Sequence, residues 1–231
     1  MDIEIQSAAL TMELVARPHI ERLQRLFHGD VLPFPRGCFY NINPWHLQFV
    51  TSWLATRQPR RVLDCGAMYS FRPFTEFSFC EEYHAVDNLQ LHHNKDFNNL
   101  PKFKEWEKLV RRKSGGRIQF KFGHLENLPY PDSFFDVVTC VHTLEYAFDD
   151  VSGMQEIRRV LRPGGTILLI TRMNWFHNIS YIPLLRSRFY GVTELAALVG
   201  ESVKRIVSDG GPERCTVGNP WPPHVNVFLE I

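Results

Sequence analysis

Apolar residues recur at helical spacing near the start of the chain and again over residues 45–57, after a proline-rich stretch. Pro44 suits the first turn of the second of these helices, because its fixed backbone angle is already helical. We therefore predict an N-terminal helical cap or lid over residues 1–43 and a larger domain over residues 44–231.

From residue 60 onward, short and nearly continuous apolar runs alternate with segments of helical periodicity. The runs predicted to be strands are 61–64, 83–87, 117–122, 134–141 and 166–171. Such runs are typical of parallel strands that are buried on both faces and connected by helices. The final eight residues, HVNVFLEI, alternate apolar and polar positions, which predicts an antiparallel strand near a sheet edge.

The composition is that of an ordinary globular protein of 231 residues, with 44% hydrophobic and 22% charged residues. The net charge of +1 gives no electrostatic reason to expect a nucleic acid or an anionic membrane as a partner. No apolar run approaches the roughly 20 residues of a membrane span, and the first residues do not resemble a secretory signal. The five cysteines are scattered without a CxxC pair, which favours reduced thiols and a cytoplasmic location.

Polar or small residues follow the predicted strands at the points where they end. In an open parallel sheet, ligands bind beyond the carboxyl ends of the strands. The residues at these ends are Asp64, Gly66, Asp87, Asn88, His124 and His142. Asp87 is the most informative of them, because a carboxylate 23 residues after Asp64 can accept both hydroxyl groups of a ribose. The alternative is that Asp87 only begins a turn together with Asn88.

Three further stretches narrow the choice of ligand. The sequences LPYPDSFFDVV (128–138), LEY (144–146) and RRVLRPGG (158–165) closely resemble the class I S-adenosylmethionine-dependent methyltransferases. The resemblance covers roughly residues 45–231. It implies an α/β fold with a seven-stranded doubly wound sheet, mostly parallel with an antiparallel last strand, and S-adenosylmethionine as the cofactor.

The resemblance also implies which residues bind the cofactor. Asp64 and Gly66 match the loop that holds its amino acid end, Asp87 matches the acid that binds the ribose, and the pair His124 and Leu125 lies where the family contacts adenine. The full predicted set is Asp64, Gly66, Ala67, Met68, Asp87, Asn88, His124, Leu125 and Val141.

The first loop departs from the family pattern, because it reads DCGAMYS where the family has D-x-G-x-G-x-G. A nicotinamide dinucleotide would need those glycines, so that its pyrophosphate can reach backbone N–H groups. S-adenosylmethionine has no phosphate, and it is therefore favoured over a nicotinamide cofactor. We expect Met68 to be tolerated in the loop because its side chain is flexible.

The predicted activity is methyl transfer to a small-molecule acceptor with an oxygen, nitrogen or carbon nucleophile. His142 is the first choice for a base, since the ordinary pKa of histidine lies near neutrality, and Glu145 is the second. Glu145 could also hold the imidazole if the chain turns helical after His142. We predict that Tyr40, Trp175 and Tyr190 contact the acceptor; the alternative for each of them is packing in the core or the lid.

Two other functions remain open at this point. The altered loop and His124 would also suit a degenerate member of the family that acts as a partner or regulatory subunit. The same fold could instead catalyse a reaction other than methylation. His92, His93 and Asp96 lack the spacing of a metal site, and a solvated loop explains them more simply. We therefore predict no metal, and the oligomeric state is left open.

Overall fold

The computed structural model describes residues 3–5, 44–67, 77–88, 104, 107–108, 111–112, 114–173, 179–182, 187–200, 203, 205–208 and 225–231. The chain divides into two compact units, one of Met1–Ser7 with Leu125–Ile231 and the other of Ala8–His124. Of the predicted cap over 1–43, only Ile3–Ile5 is described, and it is a strand. The cap otherwise lies outside the described residues and stays a prediction.

The described strands are β1 (Ile3–Ile5), β2 (Arg61–Cys65), β3 (Glu82–Asp87), β4 (Ile118–Phe122), β5 (Phe135–Val141), β6 (Leu161–Met173), β7 (Ile179–Ile182), β8 (Ser187–Phe189), β9 (Arg205–Ser208) and β10 (Val225–Glu230). The α-helices are α1 (Pro44–Arg57), α2 (Asp150–Val160) and α3 (Val192–Val199). Every strand predicted from the apolar runs is present, which confirms the α/β class.

In the unit Ala8–His124, β2 pairs in parallel with β3, and β3 pairs in parallel with β4. The residues of β2 and β3 after the first are all buried, as expected for strands enclosed on both faces. In β4 only Ile118 and Phe120 are buried, so that strand presents one face to solvent. Helix α1 precedes β2 and buries Val50 and Leu54 completely.

In the other unit, β5 pairs in parallel with β6, and β6 pairs antiparallel with β10. The prediction of an antiparallel last strand is therefore confirmed. Its predicted position near a sheet edge is wrong, because β9 pairs with the other side of β10 and β1 pairs with β9. Among the described residues, this network holds five strands and the unit Ala8–His124 holds three, one strand more in total than the seven expected. Strands β7 and β8 form a separate antiparallel ribbon.

Strand β6 begins five residues earlier than the apolar run 166–171 predicts. Phe135 pairs with Leu161, whereas Val137 pairs with Thr166, so β6 carries an irregularity that absorbs the extra residues. Helix α2 ends just before this irregularity. At its other end, Asp149 is the N-cap, whose Oδ1 accepts hydrogen bonds from two backbone N–H groups of the first turn.

Every helix in the described part of the chain is too short or too polar to span a lipid bilayer. The cysteines among the described residues, Cys65, Cys80 and Cys140, are buried and form no disulfide.

Candidate functional site

The turn after β2 has the geometry that the sequence suggests for a ligand-binding loop. Gly66 adopts a φ of 71°, in the left-handed region that favours glycine. Its N–H donates to the carbonyl oxygen of Val86 at 2.8 Å, and the N–H of Ala67 donates to the same oxygen at 3.3 Å. The chain therefore turns sharply at the carboxyl end of β2. The positive φ at this turn explains why the loop retains glycine at position 66.

Two predicted carboxylates lie in the same unit at the ends of adjacent strands. Asp64, in β2, is fully buried, and the hydroxyl group of Tyr83 donates to its Oδ2 at 3.0 Å. Asp87 is the last residue of β3, and its backbone carbonyl accepts from the N–H of Gly123 at 3.1 Å. The Asp87 carboxylate is thus placed where the ribose acid of the family is expected, while its role stays a prediction.

Asn88 and His124 lie beside each other just beyond β3 and β4. Asn88 Nδ2 is 3.5 Å from His124 Nδ1, at the outer limit of a hydrogen bond. If Asn88 donates here, the hydrogen of the neutral ring lies on Nε2. The ring of Phe122 meets the imidazole edge to face, with centroids 5.9 Å apart. The structure therefore brings Asn88 and His124 together as the sequence predicts.

Several predicted residues cannot be placed. Met68, Tyr40 and Trp175 lie outside the described residues, as do the weaker metal candidates His92 and His93. Among the residues that are described, no group of three or more His, Cys, Asp or Glu side chains could hold a metal ion.

Leu125 and Val141 belong to the unit that contains β5. The side chain of Leu125 packs against α2 at Gly153, where an added Cβ would lie only 3.0 Å from Leu125 Cδ2. Val141 is the last residue of β5 and pairs with Ile170 of β6. Both residues are therefore fixed by packing or by strand pairing, and their contact with the cofactor stays a prediction.

His142 directly follows β5 and has an unusual backbone conformation. Its N–H donates to the carbonyl oxygen of Ile170 at 2.8 Å, so it extends the pairing of β5 with β6 by one residue. Its φ of 49° lies in the left-handed region, which is uncommon for any residue other than glycine. The chain leaves the strand here and enters a short 3-10 turn, Leu144–Tyr146. Such local strain is often found at functional positions.

The 3-10 turn brings Glu145 back to His142. Glu145 is fully buried, and its Oε1 lies 2.9 Å from His142 Nδ1. Two residues of β6 contact the same carboxylate: Thr171 Oγ1 donates to Oε2 at 2.9 Å, and Arg172 Nη1 lies 3.3 Å from Oε1. The contact expected between His142 and Glu145 is therefore present, and it belongs to a larger hydrogen-bonded cluster.

The charges around Glu145 keep it ionised. Burial alone would raise the pKa of Glu145, but the attraction and hydrogen bond of His142 and the charge of Arg172 outweigh it, so the pKa is lowered. An ionised carboxylate can only accept, so His142 Nδ1 must carry the hydrogen. A neutral imidazole then has its lone pair on Nε2, which is the arrangement that a base requires.

Arg172 also contacts Tyr146. Its Nη1 donates to the hydroxyl oxygen of Tyr146 at 2.8 Å, and the guanidinium lies 5.4 Å from the centre of the ring. Burial is the main reason that the pKa of Tyr146 is raised above its ordinary value. Tyr146 is therefore a neutral phenol beside a permanent positive charge.

Tyr190, predicted to contact the acceptor, is buried against the segment that follows His142. Its hydroxyl group is 3.0 Å from Asp150 Oδ2 and 3.3 Å from the carbonyl oxygen of Leu144. Burial and the charge of Asp150 raise its pKa. Arg188 donates to the carbonyl oxygens of Ala147 and Phe148. These contacts brace the segment that carries Glu145, while the substrate-binding role of Tyr190 stays a prediction.

Sequence reasoning missed Thr171, Arg172 and Tyr146 as members of this cluster. A signal was available for the first two, because they are polar residues at the carboxyl end of the apolar run 166–171. The same rule had identified Asp64 and Asp87.

Comparison with known proteins shows similarity to methyltransferases. Residues 65–169 match the model of a family described as a methyltransferase domain. The chain is 42% identical over 65 residues to demethylmenaquinone methyltransferase of Deinococcus radiodurans, covering 27% of each chain. It is 26% identical over 132 residues to ubiquinone/menaquinone biosynthesis C-methyltransferase UbiE of Ectopseudomonas mendocina, covering 49% of this chain and 52% of the relative. The chain thus spans between about a quarter and a half of these curated relatives.

Solved structures show the likeness over more of the chain. The YcgJ protein of Bacillus subtilis matches with a TM-score of 0.56 and 18% identity, over 80% of this chain and 95% of that one. A SAM-dependent methyltransferase from Aquifex aeolicus matches with a TM-score of 0.52 and 15% identity, over 82% of this chain and 99% of that one. At these identities the likeness is one of fold.

Proposed function

We propose that the chain is a class I S-adenosylmethionine-dependent methyltransferase and that it transfers a methyl group from S-adenosylmethionine to a small-molecule acceptor whose nucleophile must first lose a proton. The observation that carries the proposal is the contact of 2.9 Å between His142 Nδ1 and the buried carboxylate of Glu145. This contact leaves the basic lone pair of a neutral ring on Nε2. His142 would take the proton of the acceptor there, and Glu145 would stabilise the resulting imidazolium.

The cofactor would be held mainly by the polar strand ends of the unit Ala8–His124. Asp87 has a carboxylate suited to the two ribose hydroxyl groups, and the turn at Gly66 lets backbone approach a ligand closely. Asn88 and His124 would contact the adenine ring of the cofactor. When bound, S-adenosylmethionine supplies an electrophilic methyl group on a sulfonium. The residues present fit this ligand because it requires carboxylates and hydrogen-bonding groups and no phosphate cradle.

The acceptor class follows from the need for a base. A thiolate or a free amine is already a good nucleophile, whereas a ring hydroxyl group, or a ring carbon activated by one, becomes nucleophilic when the hydroxyl proton is removed. Two relatives are named for methylation in menaquinone or ubiquinone biosynthesis. We therefore propose a hydroxylated ring compound as the acceptor, methylated on oxygen or carbon. Methyl transfer is favoured over a purely regulatory role, since these relatives are named as enzymes.

The test begins with calorimetric titration of S-adenosylmethionine into the purified chain. Formation of S-adenosylhomocysteine is then measured with hydroxylated aromatic and quinol acceptors, and with an amine and a thiol for comparison. We expect turnover with the hydroxylated rings. His142→Gln keeps the size and hydrogen bonding of the side chain but removes its basicity, and it should lower the single-turnover rate by roughly 10²-fold or more at unchanged cofactor affinity.

Absence of cofactor binding by the wild-type protein would exclude methyl transfer. A His142→Gln variant that keeps the full rate would exclude the base, and one that loses cofactor binding would move His142 into the cofactor site.

A further inference from the structure

Building on the proposed function, we propose that Thr171 and Arg172 are positioning residues for the base: they hold the Glu145 carboxylate in place, and Glu145 in turn holds His142 in the Nδ1–H tautomer. Thr171 and Arg172 act on His142 through the Glu145 carboxylate, from the neighbouring strand β6.

The strand pairing explains how these residues come together. Val141, the last residue of β5, pairs with Ile170 of β6. The residues that follow these two, His142 and Thr171, therefore lie beside each other. The left-handed turn at His142 then directs the chain into the 3-10 turn, and Glu145 returns over the end of β6. The register of two parallel strands thereby brings Thr171 into contact with Glu145, which lies 26 residues earlier in the chain.

Both oxygens of the Glu145 carboxylate are used. Oε2 accepts from the hydroxyl group of Thr171 at 2.9 Å, while Oε1 faces His142 Nδ1 and Arg172 Nη1 at 2.9 Å and 3.3 Å. With Oε2 fixed by Thr171, the carboxylate cannot rotate about its terminal bond without breaking a buried hydrogen bond, which is costly. Oε1 is therefore kept within hydrogen-bonding distance of His142 Nδ1.

Arg172 has a second effect through its charge. A fully buried carboxylate needs a positive partner, because an isolated ion in the protein interior is strongly destabilised. The guanidinium of Arg172 is always charged, so Glu145 has a positive partner whether or not His142 carries a second proton.

A purely structural role is the competing explanation, because Arg172 also donates to the hydroxyl group of Tyr146 at 2.8 Å. Thermal stability and overall activity would respond to either role. The tautomer of His142 responds specifically to the carboxylate beside Nδ1, and nitrogen-15 NMR of the imidazole ring reports it. This measurement needs neither acceptor nor turnover, so its outcome is independent of whether the chain methylates the proposed acceptors.

The experiment records ring nitrogen-15 spectra of histidine-labelled full-length protein during a pH titration, and reads the tautomer at the alkaline plateau. The signals of His142 are assigned by their loss in His142→Gln. In the wild type we expect the Nδ1–H form. Thr171→Val and Arg172→Met should each shift the ring towards the Nε2–H form. Thr171→Ser keeps the hydroxyl group and Arg172→Lys keeps the positive charge, so these variants should retain the wild-type spectrum at least in part.

Matched controls come from the same strand. Thr166→Val removes a threonine hydroxyl group and Arg162→Met removes an arginine whose partner is Asp136, and both should leave the His142 signals unchanged. If Thr171→Val and Arg172→Met also leave them unchanged, the positioning role is refuted. If Arg172→Met does not fold, Arg172→Gln and the near-isosteric Thr171→Val give the same decision.

Discussion

Arg159 holds Glu156 through two parallel contacts, from Nε to Oε1 at 2.6 Å and from Nη2 to Oε2 at 2.7 Å. The same guanidinium donates to the carbonyl oxygens of Tyr130 and Leu128 at 2.9 Å and 3.1 Å, and Glu156 accepts from the N–H of Leu128 at 2.8 Å. Two of the stretches that carry the family resemblance, around residues 128–138 and 158–165, are thus bonded to each other. Their joint occurrence in the sequence has a structural reason.

This arrangement predicts that Arg159→Lys lowers the free energy of unfolding by about 1.5–3 kcal/mol, because a lysine cannot reproduce the planar two-point contact and leaves backbone carbonyls without a charged donor. Urea denaturation of wild type and variant measures the difference. Arg162→Lys is the control, since the side chain of Arg162 is 56% exposed and its ion pair with Asp136 should contribute at most about 1 kcal/mol. Equal effects of the two substitutions would contradict the prediction.

Asp87→Ala should weaken the binding of S-adenosylmethionine by roughly 1.5–3 kcal/mol, the range for hydrogen bonds to a charged group. Asp87→Asn keeps the shape of the side chain but removes its charge, and should fall between wild type and alanine. Calorimetry on the three proteins tests this. Asp132→Ala, which removes an exposed carboxylate in the other unit, serves as the control. Unchanged affinity in Asp87→Ala would remove this residue from the cofactor site.

The left-handed backbone at His142 predicts an unusual order of stabilities. An alanine retains the steric cost of a positive φ, on the order of 1 kcal/mol, whereas a glycine does not. Both substitutions remove the imidazole, so the variants differ only in the backbone term. We expect His142→Gly to be more stable than His142→Ala by about 1 kcal/mol in urea denaturation. At an ordinary strand or helix position the alanine variant would be the more stable of the two. If His142→Ala is more stable than His142→Gly, the result argues against the observed φ of 49°.

Glu145 predicts an acid-dependent loss of stability. Its pKa in the folded protein lies below the ordinary value of 4.5, so the ionised form is favoured by folding. The resulting stabilisation is fully present above about pH 4.5 and is lost as the pH falls through the lower folded pKa. The difference in unfolding free energy between wild type and Glu145→Gln should therefore be largest near neutral pH and shrink below pH 4.5. A difference that stays constant down to pH 3 would show that Glu145 is not preferentially ionised in the fold.

The sequence alone determined the elements whose signals are local. Apolar runs located strands β2 to β6 and β10, because continuous burial selects continuous apolar residues. The carboxyl ends of those runs located Asp87 at the end of β3 and His142 directly after β5. Their predicted roles follow from the rule that ligands bind beyond the carboxyl ends of parallel strands. The contact between His142 and Glu145 could also be predicted from the sequence, because side chains three residues apart lie on the same side of a helical turn.

Only the tertiary structure decided the contacts between distant segments. Thr171 and Arg172 reach Glu145 through the register of β5 against β6, and Tyr190 reaches Asp150 across 40 residues. The position of β10 inside its sheet likewise depends on β9, a four-residue strand with no strong pattern of its own. Strand register and long-range pairing are set by the packing of whole elements, and a single segment of sequence does not encode them.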